Sequence, residues 1–145
     1  MRTINFRGKW IAFQNRWVYG YLITVNGQPY ISHATCAVEI RDNSIVTAAS
    51  EVDAATVGQY TGVNDKHGKR IYEGDIVRLS FNKNHCFNCE AYVAYNQGEW
   101  VCKSLSLEYE PFQSLLFPSY NAGLYEIEVI GNIHDNPELM KGGAK

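Results

Sequence analysis

Cysteine and histidine come closest together in the run His85-Cys86-Phe87-Asn88-Cys89, and the chemistry open to such a run is metal ligation or thiol redox. A Cys-x-x-Cys spacing on a turn can set two thiolates on one tetrahedral zinc ion, but a structural site needs two further ligands. His85, Cys102 on a neighbouring strand and Cys36 are the candidates; His85 shares ligation awkwardly with the adjacent Cys86, and His67 and His134 are less suitable. A redox pair would favour a helix N-terminus, where thiolate is stabilised, and this run reads as a loop between strands. Reduced, partly exposed thiols are therefore the expected state. Zinc held by Cys86, Cys89, Cys102 and His85 is the lesser alternative and a reversible disulfide the least. No metal and no cofactor is expected.

Other constellations are thinner. Glu73 and Asp75 flank Gly74, so on a turn they need not converge, and no third acid or histidine stands close in sequence. Cysteine with histidine formally permits a thiol hydrolase, but no nucleophile is favoured by its neighbours. The chain has no G-x-S-x-G elbow, phosphate loop, HExxH or dinucleotide fingerprint. A different set could contact a polyanion: Lys69, Arg70, Arg78 and Lys83 on phosphate, with Tyr92, Tyr95 and Trp100 as stacking surfaces. The competing reading places those rings in the core.

Charge restrains the second reading. Residues 1–89 carry 10 Lys/Arg against 7 Asp/Glu, or +3, whereas residues 90–138 carry one base, Lys103, against eight acids, or −7. With a net charge of −2 the chain is no supercharged nucleic-acid arm, and its acidic second half argues against a duplex groove there. Its 145 residues are 46% hydrophobic and 19% charged, which excludes disorder. Aromatic residues make up 13%, a composition suited to half-buried pleated surfaces. No apolar run approaches the ~18 residues of a membrane span, and no signal-peptide pattern follows the N-terminus, so a cytosolic protein with no membrane partner is expected.

The elements that must position these residues read as short strands and sharp turns. Strands are expected at Thr3–Phe6 and Trp17–Ile23, and Asn26-Gly27 predicts a type I′ hairpin into Pro29-Tyr30-Ile31. Weaker strands cover Cys36–Ile40 and Ile45–Thr47. Asp53 caps a single helical turn over 54–57. Asn64 to Lys69 is a reverse turn with Gly68 in the left-handed region, and Glu73-Gly74-Asp75 is a second turn. Ile76–Phe81, Ala91–Tyr95 and Glu99–Cys102 then form a meander. Glu110-Pro111 predicts a short helix through Phe117, Tyr125–Ile130 is the last strand, and Asn136–Leu139 is a capped turn.

The architecture implied is all-β, one unit over 1–145 with two lobes: an N-terminal β-sheet at about 1–57, and a small SH3-like β-barrel with the terminal turn at about 58–138. Trp10, Trp17, Tyr92, Tyr95 and Trp100 fall on strand candidates whose outward faces the sequence does not assign.

Two blocks carry a resemblance. The first contains Tyr60, Gly62, Asp65, Gly68, Ile71, Tyr72, Glu73, Gly74 and Asp75 within GQYTGVNDKHGKRIYEGDIV, and the second contains Gly131, Asn132, Asn136 and Pro137 within YEIEVIGNIHDNPEL. Together with Ile4–Lys9 and Trp17–Gly20 they resemble the YopX family of phage and prophage proteins, in the family's order and over nearly the whole chain. The resemblance implies a small all-β protein of the bacterial cytoplasm and no particular reaction. Read physically, the glycines of the signature are backbone devices and its aromatic and aliphatic residues are core. The leading expectation is a non-enzymatic accessory protein acting by binding an unidentified protein, itself included. A nucleic-acid-binding barrel is the second expectation, and an enzyme or small-metabolite pocket the third.

Overall fold

The computed structural model describes residues 1–13, 16–33, 39–41, 44–46, 48–81, 88–106, 114–115, 123 and 125–141. Strands and short 3-10 turns account for its regular structure, and the strand pairs are antiparallel. The chain forms two compact units, residues 1–60 and 61–145.

In unit 1, β1 (Phe6–Lys9) pairs with β2 (Trp17–Val25), and β2 turns into β3 (Gln28–Ser32). Asn26 and Gly27 make that turn with φ of 49° and 81°, the two positive values a type I′ hairpin needs. A separate ribbon joins β4 (Glu39–Arg41) to β5 (Ser44–Val46), and β6 (Ala49–Glu51) lies on the far side of β3. Asp53 accepts a hydrogen bond from Ala55 N–H at 3.0 Å and caps the 3-10 turn Ala54–Thr56. Val18, Ile31 and Val52 form the core, with Phe6, Trp10, Leu22 and Val57 packed around them. Gly20 is required where it stands, because a Cβ there would collide with the carbonyl oxygen of Ser32.

β7 (Gly58–Asn64) continues the chain: Gly58 and Gln59 pair with Arg7 and Phe6, and the strand goes on to run beside β8 (Arg70–Tyr72). Unit 2 is built on β9 (Asp75–Phe81), β10 (Asn88–Asn96), β11 (Glu99–Ser104), β12 (Ser114–Leu115) and β13 (Tyr125–Asn132). These stand in the order β12-β11-β10-β9-β13, an open sheet with no closed barrel among the described residues. Its core gathers Ile71, Val77, Leu79, Ala91, Val93, Trp100, Cys102, Tyr125 and Ile127.

The structure moves three boundaries. The first strand begins at Phe6 and runs to Lys9, since its register is set by pairing Phe6 with Gly20 and Lys9 with Trp17. β10 starts at Asn88, within the expected loop, because Asn88 pairs with Ser80. Inside the expected helix over 110–117, Ser114 and Leu115 are extended and pair with Cys102 and Val101. A strand edge offering backbone partners there outweighs the local helix-start signal of Glu110-Pro111.

Candidate functional site

Alternation along β2 sends Val18, Gly20 and Leu22 toward the core of unit 1 and Trp17, Tyr19 and Tyr21 to the opposite face. The register places Arg7 beside Tyr19 and Lys9 beside Trp17 on that outer face. The Arg7 guanidinium carbon lies 4.7 Å from the centroid of the Trp17 ring, and Lys9 Nζ lies 5.5 Å from it. Both are cation–π distances, so the two cations fix the indole. Arg7 is itself only 6% exposed, whereas Tyr19 and Tyr21 are 47% and 57% exposed. Ile23 opposite Tyr30, and the exposed Val25, extend this surface along β2. At the end of β1, an open cavity of about 600 Å³ is lined by Lys9, Trp10, Ile11, Gln28, Asp53 and Ala54.

Unit 2 uses its polar side chains differently. Asp65 is 5% exposed, and its carboxylate accepts from the backbone N–H of His67 and Lys69 at 2.9 Å and of Val129 at 3.0 Å. Burial alone would raise its pKa, but the three N–H donors and nearby His67 hold it below the usual carboxylate range. The same turn donates Lys66 N–H to the carbonyl of Ile127 at 2.9 Å. The outer edge of β13 is thereby occupied on both sides of Glu128. Glu128 itself meets Lys66 at 3.4 Å and His67 at 3.3 Å. Desolvation opposes these neighbours, but they draw its pKa down.

Asp75, 1% exposed, accepts from Tyr72 N–H at 2.8 Å, closing the turn that Glu73 and Gly74 make. Gly74 donates to Val93 O at 2.8 Å and accepts from Ile133 N–H at 2.9 Å, tying this turn to β10 and to the end of β13. There Asn132 Oδ1 accepts from His134 and Asp135 N–H, and Asn136 Oδ1 accepts from Asn132 N–H. Gly131 leaves space for Asn136, whose Oδ1 would lie 2.5 Å from a Cβ at that position. Pro137 begins the closing 3-10 turn.

The model of the family described as YopX protein matches residues 5–141. The chain belongs to the YopX family. Its structure is similar to the crystal structure of protein EF1440 from Enterococcus faecalis, with a TM-score of 0.62, 22% identity, and coverage of 97% of this chain and 99% of that one. That likeness is one of fold. No curated protein matches the chain.

The residues of the two blocks that carry the resemblance are turn and core groups. Tyr60, Ile71 and Tyr72 are buried, Gly62, Gly68 and Gly74 have φ of 92°, 81° and 81°, and Asp65 and Asp75 bind backbone. Glu73 is half-buried.

The polyanion set chosen from sequence is divided between faces. Arg78 and Tyr92 share one face of the unit 2 sheet with Ile76, Glu90 and Lys103, while Tyr95 and Trp100 lie on the other with Val93 and Cys102. Arg78 is paired with Glu90 at 3.1 Å and stands opposite Glu128 on β13. Lys103 Nζ lies 6.0 Å from the Tyr92 ring. Trp100 is 8% exposed in the core with Tyr95 edge-on to it at 4.9 Å, and its Nε1 is buried without a hydrogen-bond partner. Lys69 and Arg70 are exposed beside the Asp65 turn, and Lys83 lies outside the described residues.

Of the zinc candidates, His85 and Cys86 lie outside the described residues, as does Cys36. Cys89 is half-buried with Sγ 3.7 Å from Ser104 Oγ, and Cys102 is buried. Burial, with Cys89 nearby, pushes the Cys102 thiol far above its ordinary pKa. Among the described residues no three His, Cys, Asp or Glu side chains gather as a metal site.

The outer face of unit 1 was not singled out by sequence reasoning. Positions 17–23 are apolar or aromatic on both faces of β2, so alternation alone does not say which set is displayed. One signal was present: residues 1–38 contain Arg2, Arg7, Lys9 and Arg16 and no Asp or Glu.

Proposed function

We propose that this YopX-family chain is a non-enzymatic accessory protein of a phage or prophage. In this reading it works in the bacterial cytoplasm as a binding module, with the outer face of unit 1 as its working surface. The observation that carries the reading is the exposure of Tyr19 and Tyr21, 47% and 57%, on a strand whose other face is core. Large rings displayed side by side offer rigid contact area at low entropic cost. The buried acids of unit 2 hold backbone N–H groups instead, which supports a structural role for them rather than acid–base catalysis.

Self-assembly by strand addition is disfavoured at β13, because the Asp65 turn already takes the N–H of Val129 and the carbonyl of Ile127. A face is the better surface than that edge. Among the described residues no helix is long and apolar enough to cross a membrane. Unit 2 is in this reading the scaffold, an SH3-like arrangement supported by its β9–β10–β11 meander and by the register shift between Val129 and Gly131.

Affinity capture from the bacterial host tests the reading, with the intact protein and a Tyr19→Thr/Tyr21→Thr variant run side by side. A partner held by the intact protein and lost by the variant is the expected result. Partners held equally by both would overturn it. Rings of this kind suit a protein, a second copy of the chain or a nucleobase.

A further inference from the structure

We propose that unit 1 carries a self-complementary patch through which two copies of the chain pair about a two-fold axis, Phe13 of each entering the cavity at the end of β1 of the other. The patch is distinct from the outer face. Its Trp10 and Arg16 follow Lys9 and precede Trp17 in the ladder, so they take the side of the sheet opposite Tyr19 and Tyr21.

Shape is the first ground. Ile11–Phe13 is a single 3-10 turn held by its backbone: Phe13 N–H donates to Trp10 O at 3.2 Å, and Arg16 N–H donates to Phe13 O at 2.8 Å. It displays Phe13 59% exposed and Ile11 44% exposed, and neither belongs to the core of the unit. The Phe13 ring meets the Trp10 indole at a centroid distance of 4.7 Å. Trp10 in turn lines the open cavity of about 600 Å³, where Ile11 and Ala54 are further apolar walls. Cavities of about 300–1,000 Å³ take drug-sized ligands, so a benzyl group has room. An apolar knob and an apolar hollow thus adjoin through Trp10. A two-fold interface sets one patch against itself, and each knob is then offered the other copy's hollow.

Charge is the second ground. Arg16 is exposed beside the knob, where its carbonyl accepts from Trp10 N–H at 3.0 Å. Asp53 is exposed at the hollow, where Oδ1 caps Ala55 N–H. Neither side chain has an ion-pair partner among the described residues. Lys9 also lines the hollow, with its Nζ 5.5 Å from the centroid of the Trp17 ring. The knob therefore brings a cation and the hollow an acid, and the two-fold axis sets Arg16 of each copy against Asp53 of the other. A different partner would have to supply both a ring and a cation at this spacing; a second copy has both. The patch is small, so the dimer is weak, with a Kd above about 1 μM.

Sedimentation equilibrium of the full chain from about 5 to about 500 μM tests this. The mass should rise from that of a monomer toward that of a dimer and stop there, because a two-fold contact closes. Phe13→Ser, checked for an unchanged melting curve, should raise Kd at least about a hundredfold, since each of the two copies loses a buried ring. Arg16→Asp and Asp53→Lys should each pair more weakly alone, and their equimolar mixture should pair like the intact protein, because mixing restores an acid opposite a base at both contacts. Asp53→Asn keeps a capping side chain and removes only the charge. It should raise Kd about two- to thirtyfold, which tests the charge pair even if Asp53→Lys fails to fold.

A monomer at every concentration overturns the proposal, and so does a dimer that Phe13→Ser leaves intact. A dimer dissolved by Tyr19→Thr/Tyr21→Thr but not by Phe13→Ser places the contact on the outer face and overturns this patch. Pairing lost with Phe13→Ser, kept by the tyrosine variant and regained by the mixed charge variants supports it, whatever affinity capture finds on the outer face.

Discussion

Asp65 in unit 2 and Tyr21 in unit 1 show two opposed uses of a side chain. Asp65 is a charged group taken out of water, and its carboxylate is occupied by three backbone N–H groups from two parts of the chain. Tyr21 is a large ring left 57% exposed on a strand that already has a core face. The first makes the fold and leaves nothing over for a partner. The second adds little to the fold and is available to one. The residues of the two blocks that carry the resemblance are therefore concentrated where the chain must turn and close, and Tyr21 lies outside them.

The largest effect should come from the inward-turned group. Replacing Asp65 by Ala removes three hydrogen bonds to a charged acceptor and strands N–H groups beneath the surface, so a loss of about 3–5 kcal/mol is expected in urea unfolding. A loss below about 1 kcal/mol would mean that water replaces the carboxylate easily and that the contrast with unit 1 is false.

Acid should reveal the same residue. The folded-state pKa of Asp65 is depressed below the ordinary value of 3.8, so its contribution is present above that value and is lost as pH falls through the lower folded one. Stability should therefore decline on acidification below about pH 4, and the decline should be shallower in Asp65→Asn, which has no carboxylate to protonate. Parallel slopes in the two proteins would remove Asp65 from the explanation.

Gly131→Ala should come next in magnitude. The new Cβ would stand 2.5 Å from Asn136 Oδ1, which also accepts from Asn132 N–H at 3.2 Å, so relief of the clash disturbs a hydrogen bond. Overpacking of this kind costs about 1–3 kcal/mol, to be read from the same unfolding curves. Disappearance of the Gly131→Ala cost when it is measured in an Asn136→Gly background would show that the cost lies in this contact.

Local chemistry was legible in the sequence where it is self-contained. Asn26-Gly27 has the positive φ values its turn requires, Gly68 and Gly74 take the left-handed region, and Asp53 caps its own turn. What depends on distant pairing was not. The bond from Val129 to Asp65 spans 64 positions, and nothing near Asp65 announces it. Ser114 and Leu115 became extended because β11 offers them an edge. Trp100 and Tyr95 share a face, yet one is core and the other open, a distinction set by how far the core reaches along the sheet. The outer face of β2 was hidden for a related reason: both of its sides are apolar, so only tertiary packing chooses which is covered.

The smallest effect on stability should accompany the clearest effect on binding. Threonine keeps β-propensity at positions 19 and 21, and each tyrosine leaves about half of its surface in water, so Tyr19→Thr/Tyr21→Thr should shift the unfolding free energy by less than about 1 kcal/mol. Tyr19 lies opposite Arg7 and Tyr21 opposite Ser32, so the substitutions weaken cross-strand pairs, each worth a few tenths of a kcal/mol to about one. If the double variant instead unfolds at a cost near that of Asp65→Ala, the tyrosines are part of the core of unit 1 and the division between fold-making and displayed side chains collapses. If stability holds while partner binding is lost, the division is sharpened to two residues.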